Sequence, residues 1–186
     1  MENEIIREQK TELRKKIKGI KKNFTQEQRF EQSQIVIKEI EKHPDFLNSN
    51  IVMAYWAMKD ELDLTDLILR WKDEKQFLLP CVKGDDLELR RFQGMESMNT
   101  GAAFGIMEPI GDLFTDFLSI DLILVPGIAF DSKNNRMGRG KAYYDSFLPK
   151  TKAVKIGVCF DFQLVESVPV SVLDVKMDAI MSFPKK

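Results

Sequence analysis

The sequence predicts an α/β fold with three layers, α/β/α, built on a largely parallel, Rossmann-like open sheet. Short apolar runs typical of buried strands recur along the chain, and segments with helical spacing of apolar residues lie between them. Strands that alternate with helices favour parallel pairing, with helices covering both faces of the sheet. The chain of 186 residues is long enough to bury a sizeable core, and we expect residues 1–186 to form a single domain.

Two helices open the predicted order of elements. Residues 4–23 have apolar side chains at helical spacing. Thr25, followed three residues later by Gln28, fits a capping box that starts a second helix. We expect this helix to extend to about Lys42 and to end at His43-Pro44.

Strands and helices alternate over the rest of the chain. The predicted strands are residues 50–56, 77–82, 87–92, 121–126, 154–160 and 177–183, and the predicted helices are residues 64–75 and 142–148. The segment 87–92 can form a hairpin with 77–82 across Lys83-Gly84-Asp85, whereas residues 94–111 are expected to be rich in loops. Ligands of open parallel sheets bind beyond the C-terminal ends of the strands, so we look for a site there.

Composition excludes several classes of function. The chain is 44% hydrophobic and 31% charged with a net charge of -1, which is typical of a globular protein and argues against a surface devoted to nucleic acid. No apolar run approaches the length of a membrane helix, and the N-terminus lacks the apolar core of a signal peptide. We expect no membrane or nucleic-acid partner, and we expect a cytoplasmic monomer whose substrates are small molecules.

Histidine and cysteine usage limits the chemistry further. His43 is the only histidine, and it lies in a predicted helix-ending turn. Together with Cys81 and Cys159, which we expect to be reduced and buried, it supplies too few ligands for a structural zinc site. Catalysis by a Ser–His–Asp or Cys–His arrangement would have to use His43. Chemistry should instead depend on carboxylates, cations, backbone groups and a bound cofactor or metal.

The strongest functional signal is a Gly-rich basic loop within residues 121–145. Gly138 and Gly140 allow the backbone to approach a ligand closely. The loop lies between a predicted strand and a predicted helix, an arrangement in which backbone N–H groups and a helix N-terminus can hold an anion. Positive charge comes from Arg136, Arg139 and Lys141. The pattern predicts a phosphate site, and the alternative is a solvated basic turn before a helix.

The loop does not match either of two common phosphate-binding patterns. It is not a Walker A loop, because Asn135 stands where the first Gly is needed and Ala142 where Ser or Thr is needed. It is not a dinucleotide fingerprint, because Tyr143 occupies the place of the third Gly.

Carboxylates near this loop are candidates for Mg²⁺, which usually accompanies protein-bound phosphates and takes one or two carboxylates. Asp145 lies five residues after Gly140, a little over one helical turn, so it can face the bound phosphates. Asp174 or Asp178 can supply a second ligand. The alternative for Asp145 is a surface acid paired with a nearby cation.

Several other side chains allow two interpretations from spacing alone. Lys10 projects from the apolar stripe of the first helix, with Arg14 at its rim, so it either extends toward solvent or points at an anion. Trp56 either packs in the core or contacts an aromatic ligand. The tyrosines Tyr143 and Tyr144 either stack on a flat ligand or pack. Three acids follow the first strand, and spacing does not select among Asp60, Glu61 and Asp63.

Taken together, these segments resemble the 5-formyltetrahydrofolate cyclo-ligase (methenyltetrahydrofolate synthetase) family over nearly the whole chain. The long motif that ends in Tyr-Tyr-Asp145 is the most specific part of the resemblance. The matching segments are Lys10-xxx-Arg14, Met58-Lys-Asp-Glu61, Gly105-Ile-Met-Glu108-Pro109, Val125-Pro-Gly-Ile-Ala-Phe-Asp131, Arg136-Met-Gly-Arg-Gly-Lys-Ala-Tyr-Tyr-Asp145, Val168-Pro-Val and Asp174-Val-Lys-Met-Asp178.

The resemblance implies ATP-dependent closure of 5-formyltetrahydrofolate to 5,10-methenyltetrahydrofolate, with Mg²⁺ as cofactor and ADP and phosphate as products. It implies that Asp145 and Asp174 hold the magnesium and that Trp56 and Glu61 line the folate site together with Tyr143. Contacts to ATP are implied for Lys10, Arg14, Arg136, Met137, Gly138, Arg139, Gly140, Lys141, Ala142, Tyr143 and Tyr144, and catalytic roles for Arg139, Lys141 and Tyr143. The chain departs from the family pattern at Ala142, where Gly is usual, and at Leu173, where His is frequent.

Two other functions fit parts of the pattern. Another ATP-dependent kinase or ligase with a small-molecule substrate would use the same phosphate site, and ADP release without folate would identify it. A nucleic-acid-binding module would use the basic first helix and would bind in a strongly salt-dependent way, but it leaves Glu61 and Asp145 without a role.

Overall fold

The computed structural model describes residues 2–101, 105 and 107–184. Its helices are α1 (Glu2–Lys21), α2 (Gln26–Ile40), α3 (Pro44–Asn48), α4 (Thr65–Trp71) and α5 (Tyr143–Phe147). Its strands are β1 (Ile51–Met53), β2 (Gln76–Lys83), β3 (Asp86–Arg91), β4 (Met98–Thr100), β5 (Met107–Pro109), β6 (Leu113–Phe114), β7 (Leu122–Pro126), β8 (Ala129–Asp131), β9 (Arg136–Met137), β10 (Val154–Cys159), β11 (Leu164–Val165) and β12 (Ala179–Ser182).

A seven-stranded sheet with the order β12-β10-β7-β1-β2-β3-β6 forms the centre of the fold. The five strands from β12 to β2 pair in parallel. β3 and then β6 add antiparallel pairs at one side. The predicted hairpin across Lys83-Gly84-Asp85 is confirmed, and Gly84 takes the positive φ of 61° that its tight turn requires.

The centre of the sheet contains a topological switch point. β1 lies between β7 and β2, and the chain moves from β1 to β2 on one side before it returns to β7 on the other. The segments that follow β1 and β7 therefore leave neighbouring strands at the same edge of the sheet. This arrangement opens a crevice at the C-terminal ends of the strands, where open α/β sheets bind ligands.

Alternate residues of the central strands supply two apolar layers. Leu122 and Leu124 of β7 belong to the core under α2, α3 and α4. Ile123 and Val125 point to the other face, where they pack with Phe147 of α5. These four side chains of β7 are fully buried, as expected for a parallel strand covered on both faces. The prediction of an α/β fold in three layers is confirmed.

A smaller sheet, β11-β8-β9, projects from the end of β7 and carries the Gly-rich loop. The buried Asp131 organises its turn, because the carboxylate accepts hydrogen bonds from the backbone of Lys133, Asn135 and Val168 at 2.9–3.1 Å. α1 packs on this sheet through Ile17. The long first helix is thereby placed beside the Gly-rich loop rather than on the large sheet.

One helix was missed, and two local predictions were wrong. α2 ends at Ile40, and His43-Pro44 starts α3 instead of only ending α2, because proline fits the first turn of a helix and the His43 ring accepts a hydrogen bond from the amide of Asp45 at 3.3 Å. β1 ends at Met53, so residues 54–56 are not part of the strand. The expected loop at 94–111 contains the ribbon β4–β5, although residues 102–104 and 106 lie outside the described part.

No helix among the described residues is both long enough and apolar enough to cross a membrane.

Candidate active site

A cavity of about 270 Å³ lies at the switch point, near the lower end of the range for ligand pockets. Its walls come from four parts of the fold, one of which is β5 with Glu108. The segment after β1 supplies Tyr55, Trp56, Met58 and Glu61, and the β2–β3 hairpin supplies Pro80, Val82 and Leu87. The end of β7 and the loop that follows supply Arg136, Gly138, Arg139 and residues 141–145. One cavity therefore joins an apolar wall to the basic loop.

Arg139 connects the two segments that leave β1 and β7. Its Nε and one terminal nitrogen donate to Oε1 of Glu61 at 3.1 and 3.0 Å, and the same terminal nitrogen donates to Oδ1 of Asp60 at 2.6 Å. The side chain is more than a third exposed, so it is accessible to a ligand. Lys141 also lines the cavity, is exposed, and makes no ion pair with any described residue.

The structure gives Glu61 and Asp60 different surroundings, which spacing in the sequence did not reveal. Glu61 lines the cavity, is 12% exposed, and accepts a third hydrogen bond, on Oε2, from the amide of Met58 at 3.0 Å. The Tyr55 hydroxyl donates to the carbonyl of Leu62 at 2.8 Å and so fixes the segment that carries Glu61. Burial raises the pKa of Tyr55, which keeps its hydroxyl protonated as a donor. Asp60 instead pairs with Lys21 of α1 and with Arg139.

Asp60 makes the stability of the protein depend on pH. Burial raises its pKa, but hydrogen bonds from Arg139 and Lys21 outweigh this effect and hold the pKa at about 2 instead of 3.8. A lowered carboxyl pKa stabilises the folded state above the unfolded pKa, and this contribution is lost as the pH falls from about 4 to about 2. Since the side chain is 37% exposed, solvent screening leaves a contribution of about 1 kcal/mol.

We therefore expect Asp60→Asn to lower the free energy of unfolding by about 1 kcal/mol at about pH 6, and by almost nothing at about pH 2. Urea denaturation of both proteins at the two pH values measures the difference. If the difference in the free energy of unfolding stayed constant between these two pH values, the lowered pKa of Asp60 would be wrong.

Arg136 braces the loop from inside. It is 4% exposed, donates from Nε to the carbonyl of Pro126 at 3.0 Å and from a terminal nitrogen to Oδ1 of Asp145 at 3.1 Å, and lies over the ring of Tyr144 at 5.2 Å. Gly138 is needed here, because a Cβ at this position would come within 2.8 Å of the guanidinium. Arg136 thus links β7 to α5 across the loop.

The two tyrosines differ in their surroundings. Tyr144 also lines the cavity but packs against the Arg136 guanidinium, and burial raises the pKa of its hydroxyl. Tyr143 lines the cavity, and its hydroxyl donates to the carbonyl of Gly84 in the β2–β3 turn at 3.3 Å. Trp56 is partly buried in the cavity wall, where it stacks on Phe92 with ring centroids 6.0 Å apart. Tyr143 and Trp56 are therefore the aromatic side chains placed to contact a flat ligand.

α1 contacts the loop from the side. Nζ of Lys10 lies 2.6 Å from Oδ1 of Asp174. Lys10 therefore points at an anion, and in this structure the anion is the Asp174 carboxylate. Arg14 donates to the carbonyl of Gly138 at 3.1 Å, and its guanidinium lies 3.4 Å from the place a Cβ on Gly140 would take. Lys10, Arg14 and Asp174 border the loop, and Met137 and Gly140 belong to it. None of these five residues lines the cavity, and the Met137 side chain is buried against α1.

The three candidate metal ligands have different environments. Asp145 lines the cavity, and its recorded hydrogen bonds, from Arg136 and from the amide of Val175, both go to Oδ1. Asp174 accepts hydrogen bonds on both oxygens, from Lys10 and from Ser171. Asp178 accepts from the amide of Lys155 at 2.7 Å, and that amide belongs to β10. Asp145 fits a magnesium ligand best, whereas Asp174 would first have to release Lys10.

Within the described ranges no group of three or more metal-binding side chains occurs. At protein-bound phosphates, Mg²⁺ usually takes one or two carboxylates, and phosphate oxygens and waters complete its coordination.

The helix after the loop is shorter than predicted. α5 covers only Tyr143–Phe147, and Ala142 before it has the left-handed φ of 57°. A single helical turn supplies little dipole, so the loop's backbone amides and cations are the stronger groups for an anion. Left-handed backbone costs about 1–2 kcal/mol for a residue with a Cβ.

We expect Ala142→Gly to raise the free energy of unfolding by about 0.5 kcal/mol, because relief of the left-handed strain exceeds the entropy cost of glycine. Ala142→Val is the matched control and should lower it by more than about 1 kcal/mol. Urea denaturation of the three proteins measures both changes. If the glycine and valine variants were equally stable, the left-handed backbone at Ala142 would not be strained.

Sequence reasoning missed part of the cavity. Tyr55 was not singled out, and neither were Pro80, Val82 and Leu87 of the β2–β3 hairpin. Glu108 was noted as part of a motif but was given no role. The β2–β3 hairpin could have been included, because the sequence predicts it directly after the first strand and its helix. In a parallel sheet, this position brings the turn of the hairpin to the crevice.

Comparison with known proteins agrees with this arrangement. The model of the 5-formyltetrahydrofolate cyclo-ligase family matches residues 6–182. The 5-formyltetrahydrofolate cyclo-ligase of Mus musculus is 28% identical over 91% of this chain and 91% of its own length. A Schizosaccharomyces pombe protein named as a probable 5-formyltetrahydrofolate cyclo-ligase is 30% identical over 83% and 85%.

Among solved structures, the 5,10-methenyltetrahydrofolate synthetase of Aquifex aeolicus superposes with a TM-score of 0.85 at 37% identity, over 95% of this chain and 90% of that one. The chain belongs to the 5-formyltetrahydrofolate cyclo-ligase family, and it is an enzyme.

Proposed function

We propose that this member of the family closes 5-formyltetrahydrofolate to 5,10-methenyltetrahydrofolate in a reaction that requires ATP and Mg²⁺ and releases ADP and phosphate. The observation that carries the proposal is the single cavity in which a basic Gly-rich loop faces an apolar aromatic wall. Arg139 and Glu61 meet between these two parts at 3.0 Å. A phosphate donor and a flat acceptor bound there would have their reacting groups side by side.

The formyl group of this substrate must be activated before N10 can attack it, and ATP supplies the activating group. The formyl group on N5 is an amide, which is a poor electrophile, and its oxygen is a poor leaving group. Transfer of the γ-phosphoryl group to the formyl oxygen breaks the bond to ADP and gives an iminium phosphate. N10 then attacks the formyl carbon, loses its proton, and the phosphate departs with the former formyl oxygen, which leaves the methenyl bridge.

The protein contributes position and charge to this sequence. Transfer of a phosphoryl group is accelerated by groups that orient the two substrates and by cations at the transferred group. Arg139 and Lys141 line the cavity and are accessible, so we assign them this stabilising role. Tyr143, on the same wall, is placed to orient the formyl-bearing ring.

Ligand binding would exchange partners in two ion pairs. Arg139 would leave Glu61 for the transferred phosphoryl group, which frees Glu61 to accept a hydrogen bond from the folate. Lys10 would leave Asp174 for the phosphates of ATP, which frees Asp174 as a second magnesium ligand beside Asp145. Magnesium, when bound, neutralises charge on the phosphate oxygens. The pairs seen in the structure keep the charged side chains of the site compensated until then.

Absorbance of methenyltetrahydrofolate tests the proposal. We expect the signal to grow on mixing the protein with 5-formyltetrahydrofolate, ATP and Mg²⁺, to need all three, and to match ADP in amount. ADP release that does not depend on the folate would instead indicate another ATP-dependent kinase or ligase. Methenyltetrahydrofolate formed at the same rate without ATP would contradict the proposed chemistry.

A further inference from the structure

Glu108 differs from the other carboxylates of the cavity. Three acids line it, and two of them are paired, Glu61 with Arg139 and Asp145 with Arg136. Glu108 makes no ion pair with the residues that the structure describes, and its recorded hydrogen bond is a long one, 3.5 Å from the amide of Val82 to Oε1. A partly buried carboxylate in such a place needs donors, and a bound ligand can supply them.

The fold places Glu108 at a gap in the large sheet. β1 pairs with β2 only along Gln76–Leu78, whereas β2 continues to Lys83. Beyond Leu78, the edge of β2 that faces β1 has no neighbour among the described strands of this sheet. The Glu108 carboxylate occupies that edge, where it accepts from Val82. It therefore lies beside the crevice at the switch point, on the β2 side of β1.

The surroundings of Glu108 are built around its carboxylate. In the β4–β5 ribbon it lies opposite Asn99, and the Cys81 thiol contacts the carbonyl of Pro109 at 3.7 Å. A Cβ added to Gly101 would come within 2.3 Å of Cδ and 2.5 Å of Oε2 of Glu108. Gly101 does not have a positive φ, so an alanine there would not strain the backbone, but the Glu108 carboxylate would have to move.

The charges of the cavity are divided between two sides of β1. The cations of the Gly-rich loop follow β7, whereas Glu108 lies against β2, next to the apolar side chains of Pro80, Val82 and Leu87. A carboxylate on an apolar wall binds a flat ring that presents N–H groups along one edge. The side of the cavity away from the cations is thus suited to a neutral ring rich in donors.

We propose that Glu108 accepts hydrogen bonds from the 2-amino group and the N3–H of the pterin ring, and that it is a specificity-determining residue for the folate. This inference rests on the proposed function. The pterin edge carries two adjacent donors, which match the two oxygens of a carboxylate in the way that a guanidinium does. Adenine presents its amino group beside ring nitrogens that are acceptors, so it would leave one carboxylate oxygen opposed by a lone pair.

Steady-state kinetics of Glu108→Gln and Glu108→Ala test the assignment. We expect the KM for 5-formyltetrahydrofolate to rise about 10- to 100-fold, as for the loss of hydrogen bonds to a charged group, while the KM for ATP changes less than about threefold. Glu96→Gln is the matched control, since Glu96 is exposed in the turn before the same ribbon and should leave both constants unchanged.

A change on the ligand side tests the same contact without altering the protein. The wild-type enzyme should bind a 2-desamino analogue of 5-formyltetrahydrofolate at least about tenfold more weakly than the natural ligand, and Glu108→Ala should bind the two equally. Gly101→Ala should reproduce the rise in folate KM, because its Cβ displaces the carboxylate while the side chain remains charged.

The outcomes separate this inference from the proposed function. A folded Glu108→Ala enzyme with an unchanged folate KM, a rise in the KM for ATP instead, or wild-type protein that does not discriminate against the analogue would overturn the inference and leave the proposed function intact. Wild-type protein that does not convert 5-formyltetrahydrofolate at all would overturn the proposed function, and this inference with it.

Discussion

Arg139→Ala is expected to lower kcat by about 10²- to 10³-fold, as for the loss of a cation or donor that stabilises a transition state. The free energy of unfolding should fall by less than about 1 kcal/mol, because the ion pairs of Arg139 with Asp60 and Glu61 are partly exposed and weakened by solvent. Turnover assays beside urea denaturation measure the two effects. Arg139 would thus matter far more for catalysis than for folding.

Arg70→Ala is the matched control for that variant. Arg70 is also an accessible arginine paired with a glutamate, Glu41, at 2.9 Å, but it lies on α4 and does not line the cavity. We expect normal turnover from it. A folded Arg139→Ala protein with normal turnover would contradict the role of Arg139, and equal losses in the two variants would show that the effect is not specific to the site.

Asp145→Asn is expected to raise the magnesium concentration needed for half-maximal rate by at least about tenfold and to lower kcat as well. The amide keeps the size of the carboxylate but removes the charge that would hold the cation. Since Asp145 also pairs with Arg136, the variant should be less stable than wild type, so its rate is compared at saturating magnesium and at a temperature where it is folded.

Asp178→Asn is the control for the magnesium effect. Asp178 is the acid that the sequence left open as a second ligand, but its carboxylate contacts the amide of Lys155 at 2.7 Å and does not line the cavity. The magnesium dependence of this variant should equal that of wild type. If Asp178→Asn shifts the dependence and Asp145→Asn does not, the assignment of the metal site is wrong.

The architecture was predictable because it follows from patterns local to the chain. Buried parallel strands are apolar throughout, and the run at Leu122–Val125 has this property. The capping box at Thr25 is present with both of its hydrogen bonds, and it sets the start of α2. The Gly-rich loop could be predicted at the end of a parallel strand, because its glycines and cations follow that strand directly in the sequence.

Side-chain partners were less predictable because tertiary packing decides them. Lys10 and Asp174 are 164 residues apart in the sequence, and nothing near either residue indicates that they pair. Arg136 was expected among the phosphate-binding cations, and the structure uses it to brace the loop against Asp145. The apolar wall at Pro80, Val82 and Leu87 depends on how far β2 extends beyond β1. Pattern alone does not reveal that length.

Transfer of an oxygen isotope tests the central claim most directly. In the proposed reaction, the γ-phosphoryl group of ATP is transferred to the formyl oxygen, so that this oxygen leaves as part of the phosphate. With 5-formyltetrahydrofolate labelled with oxygen-18 in its formyl group, each phosphate released should carry one labelled oxygen as methenyltetrahydrofolate forms. Unlabelled phosphate, formed together with ADP and methenyltetrahydrofolate, would contradict the account.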